Sequence, residues 1–196
     1  MKPISLKVLS SFTILLIFFC GPSSSADFRI PNNTNVKFKY FIAGIPFGGE
    51  FKVTESSFDI DFEQPSKSKF LVNFDLMQSN AGFPLATVAM KKVLDASRFP
   101  NVVFVSKLVE YKENFFYVTG SLKVRDISNS VILIVKALDT YNSNSQQIQF
   151  SIEAKFNRLQ FGAGGYYPLV SEQIIIQDIL TLKKKLSNLL SQKYKC

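Results

Sequence analysis

Histidine and tryptophan are absent from this chain of 196 residues, and cysteine occurs only at Cys20 and Cys196. Without histidine the chain has no Ser/His/Asp or Cys/His catalytic arrangement, no histidine-ligated zinc and no ordinary general base near neutral pH. A cysteine at the last position is a poor candidate for a buried nucleophile or a thiolate metal site. We therefore expect neither an enzyme nor a resident metal or cofactor.

Long apolar runs are also scarce, and the clearest one lies at the start of the chain. Lys2 and Lys7 precede an apolar run from Leu9 to Cys20, and small residues up to Ala26 follow it. The run is shorter than the ~20 residues that a membrane-spanning helix needs. This order of segments is that of a secretory signal peptide. We predict that residues 1–26 are removed near Ala26 and that the mature protein is periplasmic or secreted.

The formal charge of +8 is concentrated at the two ends of the chain. Residues 1–26 hold two lysines and residues 183–196 hold five, and neither segment contains an acidic residue. Residues 27–182 therefore carry 16 basic and 15 acidic side chains, a net charge of +1. This near-neutral body gives no electrostatic basis for binding nucleic acid. Cys196 would be the one thiol of the mature chain, which excludes an internal disulfide.

Apolar and polar residues alternate along many segments, as they do in strands with one dry and one wet face. In the longest example, Gln147–Phe156, Ile148 and Phe150 share the dry face. In another, Asp59 and Asp61 alternate with apolar residues, so we assign both carboxylates to the wet face. Loops rich in glycine, proline, asparagine and serine separate the predicted strands. The other predicted strands are Val36–Tyr40, Glu50–Val53, Phe58–Phe62, Phe70–Leu76, Val102–Ser106, Phe115–Val124, Val131–Ala137 and Ile174–Leu182.

Two segments favour helix over strand. Phe83–Ala96 contains good helix formers, and Pro84 is tolerated in a first helical turn. In the tail, Leu182–Tyr194 places leucines on one stripe with lysines around it, which predicts a basic amphipathic helix. Many short strands with so little helix favour an antiparallel barrel or a sandwich.

Phenylalanine is abundant, with 20 Phe and 7 Tyr in the chain. The interior of a small closed barrel holds either its own side chains or one apolar ligand. The same inward-facing aromatic residues would line an apolar cavity or fill a packed core. The sequence separates these two interpretations poorly, and composition by itself favours the packed core.

Four stretches, spread in order over most of residues 28–182, resemble the signature of the YceI-like family of polyisoprenoid-binding proteins. They are Val36-Lys-Phe-Lys-Tyr-Phe41 with Gly48-Gly-Glu-Phe51, Val93-Leu-Asp95 with Phe99-Pro-Asn-Val-Val-Phe-Val-Ser106, Phe116-Tyr-Val-Thr-Gly-Ser-Leu-Lys-Val-Arg125, and Asn157-Arg-Leu-Gln-Phe-Gly162. The resemblance implies that residues 27–182 form an extended, lipocalin-like antiparallel β-barrel of about eight strands. It also implies that the helix within Phe83–Ala96 caps one end of the barrel.

The resemblance further implies that the barrel holds an isoprenoid chain, such as a polyprenyl phosphate or the tail of a quinone, and that no catalytic set exists. The histidines of the family pattern are missing, and Thr87-Val88 stands where that pattern has His-Leu. Arg125 and Arg158 are therefore our candidates for contact with a ligand headgroup. The alternative is that both are surface arginines at strand ends.

Two functions remain open at this point. The first is a non-catalytic periplasmic or secreted protein that sequesters or carries an isoprenoid lipid. The second is a structural or interaction module with a solid core, which acts through its basic tail, Lys183, Lys184 and Lys185 included, at a membrane surface or on a partner protein. For the first function the predicted ligand-binding residues are Phe38, Tyr40, Phe51, Phe58, Phe70, Phe74, Phe104, Tyr117, Ile148, Phe150 and Ile152.

Overall fold

The computed structural model describes residues 25–31, 34–140, 142 and 145–185. Within these segments the chain forms nine strands, one α-helix and two 3-10 turns at Pro65–Lys67 and Arg158–Phe161. In chain order the main elements are β1 (Ala26–Arg29), β2 (Asn35–Ile42), β3 (Ile45–Ile60), β4 (Lys69–Asn80), α1 (Pro84–Val93), β5 (Asn101–Lys112), β6 (Phe115–Val124), β7 (Ile127–Ala137), β8 (Gln147–Asn157) and β9 (Gln173–Lys184).

The strands form one antiparallel sheet that closes on itself. The sheet order is β1-β3-β2-β9-β8-β7-β6-β5-β4, and β4 also pairs with β3. Strands β2 to β9 therefore make a closed barrel of eight strands, which confirms the predicted fold class. Closure pairs the strand edges with each other, so the barrel wall needs no other partner.

Strands β1 and β2 occupy successive parts of one position in the wall. Phe28 of β1 lies opposite Phe58, and Val36 of β2 lies opposite Phe51, so both strands pair with β3. Both also pair with β9 on their other side. Strand β3 spans 16 residues because it must cover both partners. The two short strands predicted within this stretch are thus one strand.

The polar stretch inside β3 is a bulge rather than the predicted break. The pairing register of β3 with β4 shifts between Val53 and Glu55. Such a bulge inserts an extra residue and bends the strand without ending it. The polar residues that resemble a loop in the sequence therefore lie within the barrel wall.

Asp61 is buried, so its assignment to a wet face is wrong. Its Oδ1 accepts hydrogen bonds from the backbone N–H groups of Glu63 at 3.1 Å and Gln64 at 2.7 Å. The backbone N–H of Asp61 donates to the hydroxyl of Ser68 at 3.0 Å. The carboxylate thus organises the turn between β3 and β4, a common role of aspartate in turns.

Inward residues of the barrel are aromatic and aliphatic, and one glycine is needed to pack them. On β6, a Cβ at Gly120 would lie 2.4 Å from the ring of Phe104 on the neighbouring strand. Only a residue without a side chain lets this ring lie against β6. This contact gives a physical reason for the glycine in the third sequence motif.

The connections between strands divide into two ends of the barrel. The β3–β4, β5–β6 and β7–β8 connections lie at one end, with β1 and the end of β9. The β2–β3 turn, α1, the β6–β7 turn and the long connection 158–172 lie at the other end, which we call the mouth end. The predicted helix is confirmed as α1 and ends at Val93, before Asp95 adopts a positive φ of 49°.

The prediction of a C-terminal helix is wrong for the first residues of that segment. Leu182 is buried in β9, and Lys183 and Lys184 continue that strand, pairing with Arg29 and Phe28 of β1. Lys185 follows the strand, and its Nζ lies 3.3 Å from a carboxylate oxygen of Asp27. The rest of the predicted helix lies outside the described residues, as does most of the predicted signal peptide. Among the residues that are described, no helix has the length and apolar character needed to cross a membrane.

Candidate ligand-binding cavity

The barrel encloses an apolar cavity of about 520 Å³. Every strand from β2 to β9 contributes to its lining, together with α1 and the connection 158–172. Among the lining residues, polar side-chain atoms come from Tyr40, Ser68, Arg158 and Tyr166. The structure therefore favours an apolar cavity over a solid core as the role of the inward aromatic residues.

The exposure of the lining residues shows where the cavity opens. At the end away from the mouth, Ile30 and Leu182 are each 3% exposed and close the cavity. At the mouth end, Leu85 of α1 is 75% exposed and Leu169 is 58% exposed, although both line the same cavity. The opening therefore lies between α1 and the connection 158–172.

Three segments pack against each other around this opening. The backbone N–H of Ala43 in the β2–β3 turn donates to the carbonyl of Leu169 at 2.9 Å. The ring centroids of Phe47 and Phe83 lie 5.6 Å apart, which joins β3 to the start of α1. A Cβ on Gly165 would lie 2.5 Å from a methyl group of Val93, so the connection 158–172 lies directly against α1. The cavity thus has a cover made of two elements that meet at a glycine.

Nine of the predicted ligand-binding residues line this cavity. Whether they contact a ligand stays a prediction, but the structure brings their side chains together around one space. They are Phe38, Tyr40, Phe51, Phe58, Phe70, Phe74, Phe104, Phe150 and Ile152.

The other two predicted residues do not line the cavity. Phe116 and Val118 of β6 point inward, so Tyr117 between them belongs to the outer face of the barrel. Ile148 is fully buried in the hydrophobic core, but it lies outside the cavity lining. Both positions are corrections to the predicted site.

Arg158 is buried at the mouth end, which excludes the interpretation as a surface arginine. Its Nε donates to the carbonyl of Ser171 at 2.8 Å, and one terminal nitrogen donates to Val170 at 2.7 Å. The other terminal nitrogen donates to the carbonyls of Ala163 and Gly165. Burial lowers the pKa of this guanidinium from its ordinary value. The side chain therefore holds the connection 158–172 in shape while it also lines the cavity.

Arg125 lies outside the cavity lining and acts on the same connection from another side. It occupies the β6–β7 turn with a positive φ of 59°, and its guanidinium donates to the carbonyl of Gly162 at 3.0 Å. Its position does not favour direct contact with a ligand headgroup. Both arginines were candidates for headgroup contact or surface residues, and in the structure both donate to backbone carbonyls of the connection 158–172.

Residues of the mouth are the part of the site that the sequence analysis missed. Ala86, Ala89 and Met90 of α1 line the cavity from above, and Tyr166 and Leu169 complete the rim. A glycine-rich segment followed by two tyrosines looks like an ordinary turn in the sequence. The aromatic and aliphatic residues of this segment could have indicated a role at the cavity opening, because a simple turn seldom contains them.

The cavity has the features of a binding site, because it is concave and lined mostly by apolar side chains. Tyr40 is a buried polar residue of the lining, and its hydroxyl donates to the carbonyl of Ala81 at 2.8 Å. Burial raises the pKa of its phenol. In the described part of the chain, no group of three or more acidic or cysteine side chains is arranged to hold a metal ion.

A closed eight-stranded barrel around an apolar cavity is the class of fold that can hold one small hydrophobic ligand. The family model that matches the chain is the YceI-like domain, and it covers residues 29–183. The chain therefore belongs to the YceI-like family, and the predicted family is confirmed. Barrels of this family are generally binding proteins rather than enzymes, and polyisoprenoid binding is common among them.

Solved structures show the same fold at low sequence identity. BcnA of Burkholderia cenocepacia is 20% identical, with a TM-score of 0.66 over 76% of this chain and 94% of its own. The YceI protein of Campylobacter jejuni is 17% identical, with a TM-score of 0.58 over 95% of this chain and all of its own. No curated protein matches the chain well enough to count as a relative.

Proposed function

We propose that this protein is a non-catalytic carrier that holds an isoprenoid chain of the polyprenyl phosphate or quinone type inside its barrel. The observation that carries the proposal is the continuous apolar cavity of about 520 Å³. Binding sites for small molecules span roughly 300–1,000 Å³ and are lined mostly by apolar and aromatic residues. The cavity has both properties, and the family commonly binds polyisoprenoids.

The shape of the cavity favours a chain over a compact ligand. Its lining includes residues of β9 from Ile174 to Leu182. At ~3.3 Å per residue, these eight steps correspond to about 26 Å along the strand. A flexible apolar chain fills such a long space, while a single ring would leave most of it empty.

The polar end of the ligand would lie at the mouth, because the opposite end is closed by buried apolar residues. A guanidinium has five N–H groups, and four hydrogen bonds of Arg158 go to backbone carbonyls. The remaining N–H is the donor that Arg158 offers to a phosphate or quinone oxygen. Arg125 contributes by bracing the same connection rather than by contact.

The proposal also includes the predicted location of the protein. A carrier with a signal peptide at residues 1–26 would work in the periplasm or outside the cell, where isoprenoid lipids of the membrane are its ligand source. The basic residues at the end of the chain are a second proposed contact with that membrane. Lys183 to Lys185 would present their charges from the closed end of the barrel.

The test is the identity of the molecule that the protein retains. Protein produced in a bacterial periplasm is extracted with organic solvent, and the extract is analysed by mass spectrometry. We expect an isoprenoid at a ratio approaching one per protein, with a headgroup that names the ligand. A protein that yields no such lipid and takes up neither added quinone nor polyprenyl phosphate would contradict the proposal.

A further inference from the structure

Helix α1 exposes two large apolar side chains beside the face that it turns to the cavity. Ala86, Ala89 and Met90 face the cavity, while Leu85 is 75% exposed and Val88 is 64% exposed. On a surface helix the side away from the core is usually polar. The barrel therefore leaves Leu85 and Val88 largely uncovered.

The other two segments of the mouth expose the same kind of residue. Ile45, the first residue of β3 after the β2–β3 turn, is 61% exposed, and Tyr166, Tyr167 and Leu169 in the connection 158–172 are all more than half exposed. Hydrogen bonds between the β2–β3 turn and this connection keep these side chains close together. The exposed apolar residues thus form one rim around the opening of the cavity. We define this rim by Ile45, Leu85, Val88, Tyr166, Tyr167 and Leu169.

The charge of the rim points to an anionic lipid surface. The segments 41–47, 82–94 and 162–171 contain no acidic residue, while Lys91 and Lys92 lie in the last turn of α1. Elsewhere the barrel has nearly equal numbers of acidic and basic residues. Segments that lie in a membrane interface typically combine aliphatic side chains, tyrosines and nearby lysines.

We propose that the mouth rim docks this protein onto the surface of an anionic lipid bilayer, with the cavity opening facing the lipid. The rim would enter the interface to a depth of ~5–10 Å, the range for amphipathic surface helices. The inference deepens the proposed carrier function, because an apolar chain could pass from bilayer to cavity without crossing water. It places the docking surface at the opposite end of the barrel from Lys183 to Lys185.

The experiment measures binding of the full chain to lipid vesicles by co-sedimentation. One set of vesicles contains phosphatidylcholine with phosphatidylglycerol, the other contains phosphatidylcholine alone, and neither contains an isoprenoid. The rim variant is Ile45→Gln/Val88→Gln, which changes two rim residues that are 61% and 64% exposed and lie outside the cavity lining. The matched wall variant is Ile132→Gln/Ile179→Gln, which removes two side chains that are 55% and 58% exposed on the barrel wall. A tail variant, Lys183→Gln/Lys193→Gln/Lys195→Gln, isolates the contribution of the basic end.

We expect the wild-type protein to prefer the anionic vesicles and the rim variant to lose about tenfold or more in partitioning, since two apolar side chains no longer leave water. The wall variant should bind within about threefold of wild type, because it does not change apolar burial at the rim. The tail variant should lose only binding that added salt also removes, since it changes charge and no apolar side chain. Absence of vesicle binding by wild type would overturn the proposal, as would an equal loss in the wall variant. A rim variant that abolishes self-association instead of vesicle binding would identify the rim as an interface between copies.

Docking and ligand binding are measured separately, so their failures can be distinguished. Uptake of a polyprenyl phosphate added from ethanol tests the cavity without a membrane. The rim variant should retain this uptake if it is folded, which its circular dichroism spectrum checks. Vesicle binding without uptake would contradict the carrier function alone, and uptake without vesicle binding would contradict the docking alone.

Discussion

Tyr40 and Arg158 are buried polar side chains in a cavity that is otherwise almost entirely apolar. A polar group in such a place is costly unless its hydrogen bonds are made. Both residues meet this condition through backbone carbonyls, Ala81 for the phenol and the connection 158–172 for the guanidinium. Tyr40 therefore links β2 to the segment before α1, and Arg158 ties the connection 158–172 to itself.

The first prediction concerns the effect of pH on Tyr40. Burial raises the pKa of its phenol above the ordinary value of 10.0. The folded state then holds a proton that the unfolded state releases, so this contribution to stability is complete below pH ~10 and is lost as pH rises through the raised pKa. We expect Tyr40→Phe to cost about 1 kcal/mol near neutral pH, because it removes one hydrogen bond.

Urea unfolding of wild type and Tyr40→Phe at several pH values provides the measurement. The difference in the free energy of unfolding should shrink steadily as the buffer becomes more alkaline than pH ~10. Tyr111 is half exposed, so Tyr111→Phe is the control for removing a phenolic hydroxyl at the surface. A Tyr40→Phe difference that stays constant into alkaline buffer would contradict the argument.

The second prediction concerns the guanidinium of Arg158. Arg158→Lys keeps the positive charge, but an ammonium group cannot reach carbonyls on several sides of a planar fork. Carbonyls of Ala163, Gly165 and Val170 would then lose their donor in a buried site. We expect the free energy of unfolding to fall by about 2–4 kcal/mol.

Arg98→Lys serves as the matched control for this substitution. Arg98 lies after α1 and makes an exposed ion pair with Asp95 at 3.2 Å. Exposed pairs contribute ~0–1 kcal/mol, so this variant should be nearly as stable as wild type. Thermal unfolding of both variants tests the difference, and equal stability of the two would mean that Arg158 does not hold the mouth.

At the scale of elements, the cover of the cavity depends on contact between α1 and the connection 158–172. Gly165→Ala would place a Cβ 2.5 Å from a methyl group of Val93, while the nearest atom to a Cβ at Gly164 lies 3.8 Å away. We therefore expect Gly165→Ala to push the two elements apart and to cost about 1–3 kcal/mol, and Gly164→Ala to cost much less. A ligand held in the cavity should also leave faster from the Gly165 variant.

A double-mutant cycle checks the cause of this effect. Val93→Ala removes the methyl groups that the new Cβ would meet, so it should restore part of the stability lost in Gly165→Ala. Thermal unfolding and stopped-flow dissociation of a fluorescent lipid give the two readouts. If Val93→Ala simply adds its own loss, the two residues do not share a contact of the kind described.

Strands could be predicted from the sequence where the alternation of apolar and polar residues was clear and no helical spacing fitted as well. The alternation in Gln147–Phe156 fixed β8, and its bounds agree within one residue. In β6, three consecutive aromatic residues hide the inward face, and the later alternation of Val118, Leu122 and Val124 was the better guide. In the tail, Leu182 fits a period of two from Leu180 as well as a helical stripe. In the structure this segment pairs with β1 and β8, so Leu182 belongs to a strand.

The cover of the cavity was less predictable than its wall. Strand pairing follows from local alternation, but the path of the connection 158–172 depends on contacts with three distant segments. Arg158 holds this path by donating to four backbone carbonyls. Every residue has a backbone carbonyl, so the residue types do not reveal these contacts. A lone arginine after a strand is therefore read as a surface residue or a ligand contact.

At the scale of the whole molecule, the central question is whether the barrel is full or hollow. The same inward phenylalanines would serve either state, which is why the sequence left it open. The structure places Ala81, Ala86, Ala89 and Ala154 on the cavity lining between larger residues. Small side chains at these places leave space that a packed core would fill.

The last prediction uses Ala154 to separate the two states. Ala154 lies on β8 opposite Leu133 and Ile176 and is 8% exposed. In a filled core, Ala154→Phe would overpack the interior and cost about 1–3 kcal/mol. In the hollow barrel its ring enters empty apolar space, so we expect the melting temperature to stay unchanged or to rise.

The same substitution should reduce lipid uptake, because the ring occupies volume that the chain needs. Lys155→Phe is the control, since the neighbouring side chain points out from the same strand and should leave uptake unchanged. Thermal unfolding and titration with a polyprenyl phosphate give both readouts on one pair of proteins. A destabilised Ala154→Phe would favour a filled barrel, and a stable variant with full uptake would place the ligand somewhere other than this cavity. A stable variant with lost uptake follows only if the cavity is both empty of side chains and the place where the chain binds.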